Sequence, residues 1–203
     1  MVTNYNTLKE SGEGLYKEKG SKFIGLAIHV KNLDEVESHL NSIKKKYYDA
    51  RHHCYAYILE PDSEIFRAND DGEPNHSAGD PILGQIRSHS LTFTLVVVVR
   101  YFGGTKLGVS GLINAYKTAA REAIENATIV NLQVTKSLQF VFSYEVTNEV
   151  MKLINEFNIG IQSQEYDNQC IISGTVPVKN LDSLLSKTKL LNQTGTEITI
   201  KSN

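Results

Sequence analysis

The chain has 203 residues, of which 40% are hydrophobic and 22% charged, a balance typical of globular rather than disordered or fibrous proteins. The formal net charge of −2 excludes a globally basic nucleic-acid coat, so any contact with a polyanion has to come from a local patch. No stretch approaches the roughly twenty apolar residues of a membrane helix, and the N-terminus lacks the apolar segment of a signal peptide, so we expect a cytoplasmic protein with no membrane partner.

Three strands and a helix are predicted in the early part of the chain. Residues 21–29 are predicted to form a strand, and apolar positions then recur every three or four residues from Leu33 to Tyr47, which predicts an amphipathic helix. Asn32 is its expected N-cap. The stretches "HHCYAYILE" and "EIFRAN", separated by "PDS", predict a hairpin.

A buried strand between two helices is predicted next. Asp80 and Pro81 are expected to cap and begin a short helix. The run "TFTLVVVV" over 92–99 has no polar alternation, which predicts a strand buried on both faces. A longer helix follows, with an apolar stripe that includes Leu112 and Tyr116 and a separate polar face. That polar face carries Asn114, Lys117 and Arg121.

The pattern restarts near residue 130 as strand, helix, strand, strand, helix, strand. This order is the signature of a ferredoxin-like domain. We therefore predict two domains, 1–130 and 131–203, although no Pro- or Gly-rich linker separates them.

The segment "RYFGGTKLGVSGLINAY" (100–116) directly follows the buried strand and combines glycines, cations and aromatic rings. Backbone N–H groups in a glycine turn can bind an anion, and a helix N-terminus adds partial positive charge. Its spacing matches neither a P-loop nor a dinucleotide fingerprint, and a turn whose glycines only relieve crowding is an equally good interpretation. The candidate binding residues here are Arg100, Tyr101, Phe102, Gly103, Gly104, Lys106, Gly108, Lys117 and Arg121.

The stretch "NDDGEPNHSAGDP" (69–81) supplies a group of carboxylates. Asp70, Asp71, Glu73 and Asp80 could bind a hard cation or act as an acid/base pair, and the first three are candidate binding residues. A solvated turn is the simpler interpretation, because the acids are interrupted by Gly and Pro. We expect neither a metal nor a catalytic residue here.

The stretch "RHHCYAY" places His52 and Cys54 on one face of a strand and His53 on the other. His53 therefore cannot activate Cys54, and His52 has no obvious acid to orient it. A buried thiol beside a structural histidine is the favoured interpretation. His52 and His53 remain candidate binding residues. Cys54 and Cys170, the only cysteines, indicate neither a zinc site nor a disulfide framework, and we expect no cofactor.

Taken together, the motifs "ARHHCYAY", "DDGEPNHSAGDPIL" and "VVVVRYFGGTKLGVSGLINAY" resemble the IMPACT/YigZ family, over almost the whole chain. The resemblance implies a two-domain α+β fold: a ribosomal-protein-domain-like α+β sandwich, then a ferredoxin-like βαββαβ domain similar to an elongation-factor-G module. The family usually has Gly-Thr where this chain has His76-Ser77, Gly at Ser110 and often Arg at Asn114. The missing Arg removes one cation from the expected binding face.

Eukaryotic members of this family regulate translation through a ribosome-associated activator of a stress kinase. The resemblance therefore implies a translation-associated regulatory or binding protein that contacts RNA, the ribosome or a ribosome-bound partner. The alternative hypothesis is a small-molecule enzyme acting on a phosphorylated or anionic substrate between the "DDGEP" and "GGTKLG" loops. That enzyme needs both loops in one cleft, because catalytic groups act at hydrogen-bond distance. A protein-interaction scaffold without nucleic acid is a third hypothesis.

Overall fold

Residues 2–62, 64–167 and 169–202 are described by a computed structural model, and their packing divides the chain into two compact units. One unit is Asn4–Leu132, and the other is Gln133–Asn203 with Met1–Thr3. Each unit mixes helices with antiparallel strands around its own hydrophobic core, so the chain has a two-domain α+β fold. In the described ranges, no helix is both long and apolar enough to span a membrane.

The first unit is built on a five-stranded antiparallel sheet with the strand order β2-β3-β6-β4-β5, and β1 pairs with β7 beside it. Its elements in chain order are β1 (Asn4–Glu10), β2 (Gly12–Glu18), β3 (Ser21–His29), α1 (Leu33–Lys46), β4 (His52–Leu59), β5 (Ile65–Asn69), α2 (Gly79–Ser88), β6 (Thr94–Tyr101), α3 (Gly108–Glu125) and β7 (Thr128–Gln133).

Strand β6 lies at the centre of the sheet and is covered on both sides. Val96 and Val98 pack in the core formed with α2 and α3, whereas Val97 and Val99 pack in the core formed with α1. All four side chains are fully buried, which confirms the predicted two-faced burial. Because β6 is antiparallel to both β3 and β4, its C-terminal end lies beside the N-terminal ends of these two strands.

Helix α1 begins as predicted, since the Asn32 side chain accepts the Glu35 N–H at 2.9 Å and caps the helix. Helix α2 differs from the prediction. It starts at Gly79 after Ala78, so Asp80 lies in the first turn and is not the cap.

The second unit forms a four-stranded antiparallel sheet with the order β11-β8-β10-β9. Its core includes Phe140 and Ile172 from the sheet and Val150 and Leu184 from the helices. The predicted ferredoxin-like order of elements is confirmed. These elements are β8 (Thr135–Phe142), α4 (Thr147–Glu156), β9 (Gly160–Tyr166), β10 (Cys170–Pro177), α5 (Val178–Gln193) and β11 (Ile198–Ser202), with a 3-10 turn (Tyr144–Val146) before α4.

Candidate functional site

A cleft of about 470 Å³ opens in the first unit, where the start of β4, the turn after β5 and the β6–α3 connection meet. His52 pairs directly with Arg100 across β4 and β6, and this register brings the histidine motif beside the glycine segment. The three motifs identified in the sequence therefore share one cleft. It is lined by Arg51, His52, Glu73, Pro74, Arg100, Phe102, Lys106, Leu107, Gly108, Val109 and Leu112.

A buried ion pair lies in the wall of this cleft. Glu73 accepts a hydrogen bond from Arg100 Nη1 at 2.5 Å and another from the Tyr116 hydroxyl at 2.8 Å. The Arg100 guanidinium also lies 5.4 Å from the ring centroid of Phe23 and 5.5 Å from that of Phe102. Within the described part of the chain, Arg100 Nε has no hydrogen-bond partner. The pair fixes Arg100 beside Phe102, a residue that is 43% exposed.

Cys54 extends this network away from the cleft. Its Sγ lies 3.0 Å from the Asp70 carbonyl oxygen and 3.3 Å from the Tyr116 hydroxyl. Burial raises the pKa of the Cys54 thiol far above its usual range, although the Tyr116 contact opposes the shift. Burial also raises the pKa of Tyr116. Both groups are therefore protonated at neutral pH, and Cys54 is not an activated nucleophile.

The two histidines point in opposite directions, as the strand alternation predicts. His52 Nδ1 lies 2.8 Å from the Asp71 carbonyl oxygen and must donate to it, because a carbonyl only accepts. Its Nε2 is then directed towards Glu73 Oε1, at 4.0 Å. His53 is buried on the other side of the sheet, with Nε2 at 3.1 Å from the Tyr47 carbonyl oxygen. The cleft contains His52 and not His53.

The two aspartates before Glu73 hold the backbone and do not line the cleft. Asp70 accepts the N–H groups of His76, Ala78 and Gly79 at 2.8–2.9 Å, so it caps α2 from nine residues upstream of the first helical residue. Asp71 Oδ2 accepts the His53 N–H at 2.7 Å. In the described ranges, no group of three or more His, Cys, Asp or Glu side chains could hold a metal ion.

His76 takes up a backbone conformation that favours glycine, with φ of 64°. This is the position where the family pattern has Gly. The exposed His76 side chain contacts the first turn of α2, where its Nδ1 lies 2.6 Å from Asp80 Oδ2. The turn therefore keeps its left-handed residue without glycine.

Asp70→Ala is expected to destabilise the first unit at pH 7 by about 1–2 kcal/mol, the cost of a lost helix cap. Burial opposes ionisation of Asp70, but its three backbone N–H bonds outweigh burial and lower its pKa. The stabilisation by Asp70 is thus complete above the unfolded-state pKa near 3.8 and is lost as the pH falls below it. Urea titrations at pH 7 and pH 3 should show a smaller loss on acidification in the variant, and equal losses would contradict this role.

The glycine segment is held against the β2–β3 turn. The Gly103 N–H donates to Ser21 Oγ at 3.1 Å, and a Cβ at Gly103 would lie 1.9 Å from the Gly20 carbonyl carbon. Gly108, with φ of 72°, begins α3 at the cleft. Helix α3 has no acidic residue in its first turn and no side-chain cap, so no group of the helix itself offsets the partial positive charge at its N-terminus.

Several candidate residues of this segment lie outside the cleft. Tyr101 packs on the α1 side of the sheet, and its hydroxyl donates to Asp49 at 2.8 Å. Lys117 and Arg121 are exposed on α3, where Arg121 Nε lies 3.8 Å from Glu125 Oε1. Gly103 and Gly104 also do not line the cleft. Sequence reasoning missed Arg51, although it immediately precedes the His52 that pairs with Arg100.

The Impact N-terminal domain family model matches residues 19–124. The chain is 32% identical over 166 residues to IMPACT family member YvyE of Bacillus subtilis, covering 82% of this chain and 76% of that protein. It is 27% identical over 171 residues to IMPACT family member YigZ of Escherichia coli K12, covering 83% and 84% respectively. A crystal structure of a hypothetical protein has the same fold, with a TM-score of 0.74, 23% identity, and coverage of 100% of this chain and 98% of that one. The motifs, the fold and these similarities lead to one conclusion: the chain belongs to the IMPACT family.

Proposed function

We propose that this protein is a translation-associated binding protein whose cleft takes a phosphate-bearing segment of single-stranded RNA. The association of the IMPACT family with translation regulation supports the first part of the proposal. One observation carries the second part: two exposed cations, the N-terminus of α3 and the ring of Phe102 face the same cleft. The two cations are Arg51 and Lys106.

The chemistry of the cleft suits a nucleotide unit of RNA. Since Glu73 neutralises Arg100, the net positive charge comes from Arg51 and Lys106, which can attract a phosphate. The α3 N-terminus adds N–H donors for the same group. The half-exposed Phe102 ring offers a face for a base, and stacking on such a face tolerates any sequence.

Fluorescence anisotropy with a labelled oligouridine of about 12 nucleotides tests this proposal. Removing both cations in Arg51→Ala/Lys106→Ala should weaken binding and reduce the slope of log K against log salt by about 1.4, since each single-strand phosphate contact contributes about 0.7. Phe102→Ala should weaken binding about 5- to 150-fold, the value of one stacked base.

The matched control is Lys117→Ala/Arg121→Ala, which removes two cations of the first unit from outside the cleft. We expect this variant to keep both the affinity and the salt slope within error. An equal loss in the control, or no binding by the unmodified protein at low salt, contradicts the proposal.

A small-molecule enzyme is the second candidate function, and the meeting of the "DDGEP" and "GGTKLG" loops in one cleft favours it. His52, with Nε2 directed into the cleft region near Glu73, is the group best placed to act as a base. Turnover of an anionic substrate that is lost in His52→Ala, in a protein that does not bind oligouridine, would favour the enzyme.

A further inference from the structure

A second cationic surface lies at the same end of the sheet as the cleft but on the side covered by α1. Lys17 and Lys22 are direct cross-strand partners on β2 and β3, and Lys22 is in turn opposite Tyr101 on β6. Lys46, in the last turn of α1, has its Nζ 5.0 Å from the Tyr47 ring centroid. We call this the lysine–tyrosine surface, and it comprises Lys17, Lys22, Lys46, Tyr47, Tyr48 and Tyr101.

The lysines of this surface have no ion-pair partner within 4.0 Å among the described residues. The dipole of α1 accounts for Lys46, which lies at the helix C-terminus. The helix dipole does not account for Lys17 and Lys22, which lie on strands β2 and β3. Two like charges directly opposed on neighbouring strands repel each other and destabilise a sheet. Their juxtaposition therefore points to an anionic ligand.

The acids near this surface are engaged or lie at its border. Glu18 and Asp49 accept hydrogen bonds from tyrosine hydroxyls, at 3.2 Å from Tyr16 and 2.8 Å from Tyr101. Glu13 and Glu122 line a concavity that Lys22 and Tyr47 also line. Glu122 accepts the Leu15 N–H at 3.2 Å where β2 meets α3, and contact with Tyr47 and, less strongly, the Glu13 carboxylate raise the pKa of Lys46.

The lysine–tyrosine surface is connected to the cleft by the α1–β4 connection. Tyr48 is 84% exposed, and Arg51 follows it by three residues and lines the cleft. Along the chain Tyr48 thus lies between Lys46 and Arg51, and its ring is uncovered. Alternation of cations with a free ring is the arrangement that binds single-stranded nucleic acid without sequence preference.

We propose that an RNA strand held in the cleft continues past Arg51, stacks a base on Tyr48 and places its next phosphates on Lys22, Lys17 and Lys46. This inference rests on the proposed function and extends it, because it makes the footprint longer than the cleft. A strand that fills only the cleft does not reach the lysines.

The test compares oligouridines of about 4 and about 12 nucleotides, lengths at the lower end and within the range of single-strand site sizes. In Lys17→Ala/Lys22→Ala, the longer strand should bind more weakly with a salt slope reduced by about 1.4, while the shorter strand should bind as before. Tyr48→Ala should weaken only the longer strand, by about 5- to 150-fold. The charge-matched control Lys9→Ala/Lys31→Ala removes two exposed lysines outside this surface and should bind both strands unchanged.

The two proposals fail in different ways. If both strands bind and the lysine variant has no effect on the longer one, the extended footprint is wrong and the cleft proposal stands. If neither strand binds, both proposals are wrong. Binding of the lysine–tyrosine surface to vesicles containing phosphatidylserine, with no difference between the two RNA lengths, would assign the surface to a membrane and overturn the inference.

Discussion

Arg100→Met is expected to lower the free energy of unfolding by about 3–5 kcal/mol, because Glu73 is left as an uncompensated buried charge. Both side chains are more than nine-tenths buried, and Arg100 Nη1 is 2.5 Å from the Glu73 carboxylate. The Tyr116 hydroxyl still donates to Glu73, but it cannot neutralise the carboxylate. Urea titration followed by circular dichroism at pH 7 measures the loss.

The double variant Arg100→Met/Glu73→Gln provides the control. Removing both charges should recover most of the stability, since apolar or neutral replacements of a buried pair are often close to neutral. Glu73→Gln alone should be destabilising, because it leaves Arg100 buried and unpaired. A loss under about 1 kcal/mol in Arg100→Met, or a double variant no better than the single ones, would contradict a charged pair at this position.

A buried ion pair contributes little net stability compared with a well-packed apolar pair, so stability alone does not explain its place in the cleft. The ion pair also has a geometric effect, because it fixes the position of the Arg100 guanidinium. The guanidinium lies 5.4 Å from the ring centroid of Phe23 and 5.5 Å from that of Phe102, and its ion pair with Glu73 holds it there. Arg100 therefore acts as a support for the Phe102 ring, and the free cations of the cleft are supplied by Arg51 and Lys106.

The parts of the fold that could be predicted from sequence are those with a local periodic signal. The unbroken apolar run identified β6, and period-two alternation separated His52 and Cys54 from His53. The same alternation continues one residue past β6: Arg100 and Phe102 line the cleft, whereas Tyr101 packs on the α1 side of the sheet. The sequence predicts Arg100, Tyr101 and Phe102 together as binding residues, but β6 extends to Tyr101, so the Tyr101 side chain lies on the opposite side of the sheet.

Other features have no local signal. The inward positions of β2 are Gly12, Gly14 and Tyr16, and because the two glycines carry no apolar side chain, the strand shows no clear period-two hydrophobic pattern. The cap of α2 comes from Asp70, too far upstream for a capping motif to be recognised. The contact between Glu73 and Tyr116 joins residues 43 positions apart, and only the packing of α3 on the sheet creates it.

Gly103→Ala is expected to destabilise the first unit by about 1–3 kcal/mol or more, because the added methyl group has no space. Its Cβ would lie 1.9 Å from the carbonyl carbon of Gly20 and 2.2 Å from the Ser21 nitrogen, and these backbone atoms cannot rotate away as a side chain could. The β2–β3 turn or the β6–α3 connection must move, and the latter carries Phe102 and Lys106 into the cleft. We therefore expect a lower midpoint of urea unfolding together with weaker oligouridine binding.

Gly84→Ala is the matched control for this substitution. Gly84 lies within α2, has no heavy atom within 4 Å of an added Cβ, and should gain about 0.5–1 kcal/mol because alanine is the better helix former. The same chemical change is thus expected to have opposite signs at the two glycines. If Gly103→Ala is neutral or stabilising, the contact with the β2–β3 turn is looser than described and does not hold the cleft. If it destabilises without weakening RNA binding, the β6–α3 connection has kept its position and the β2–β3 turn has moved instead.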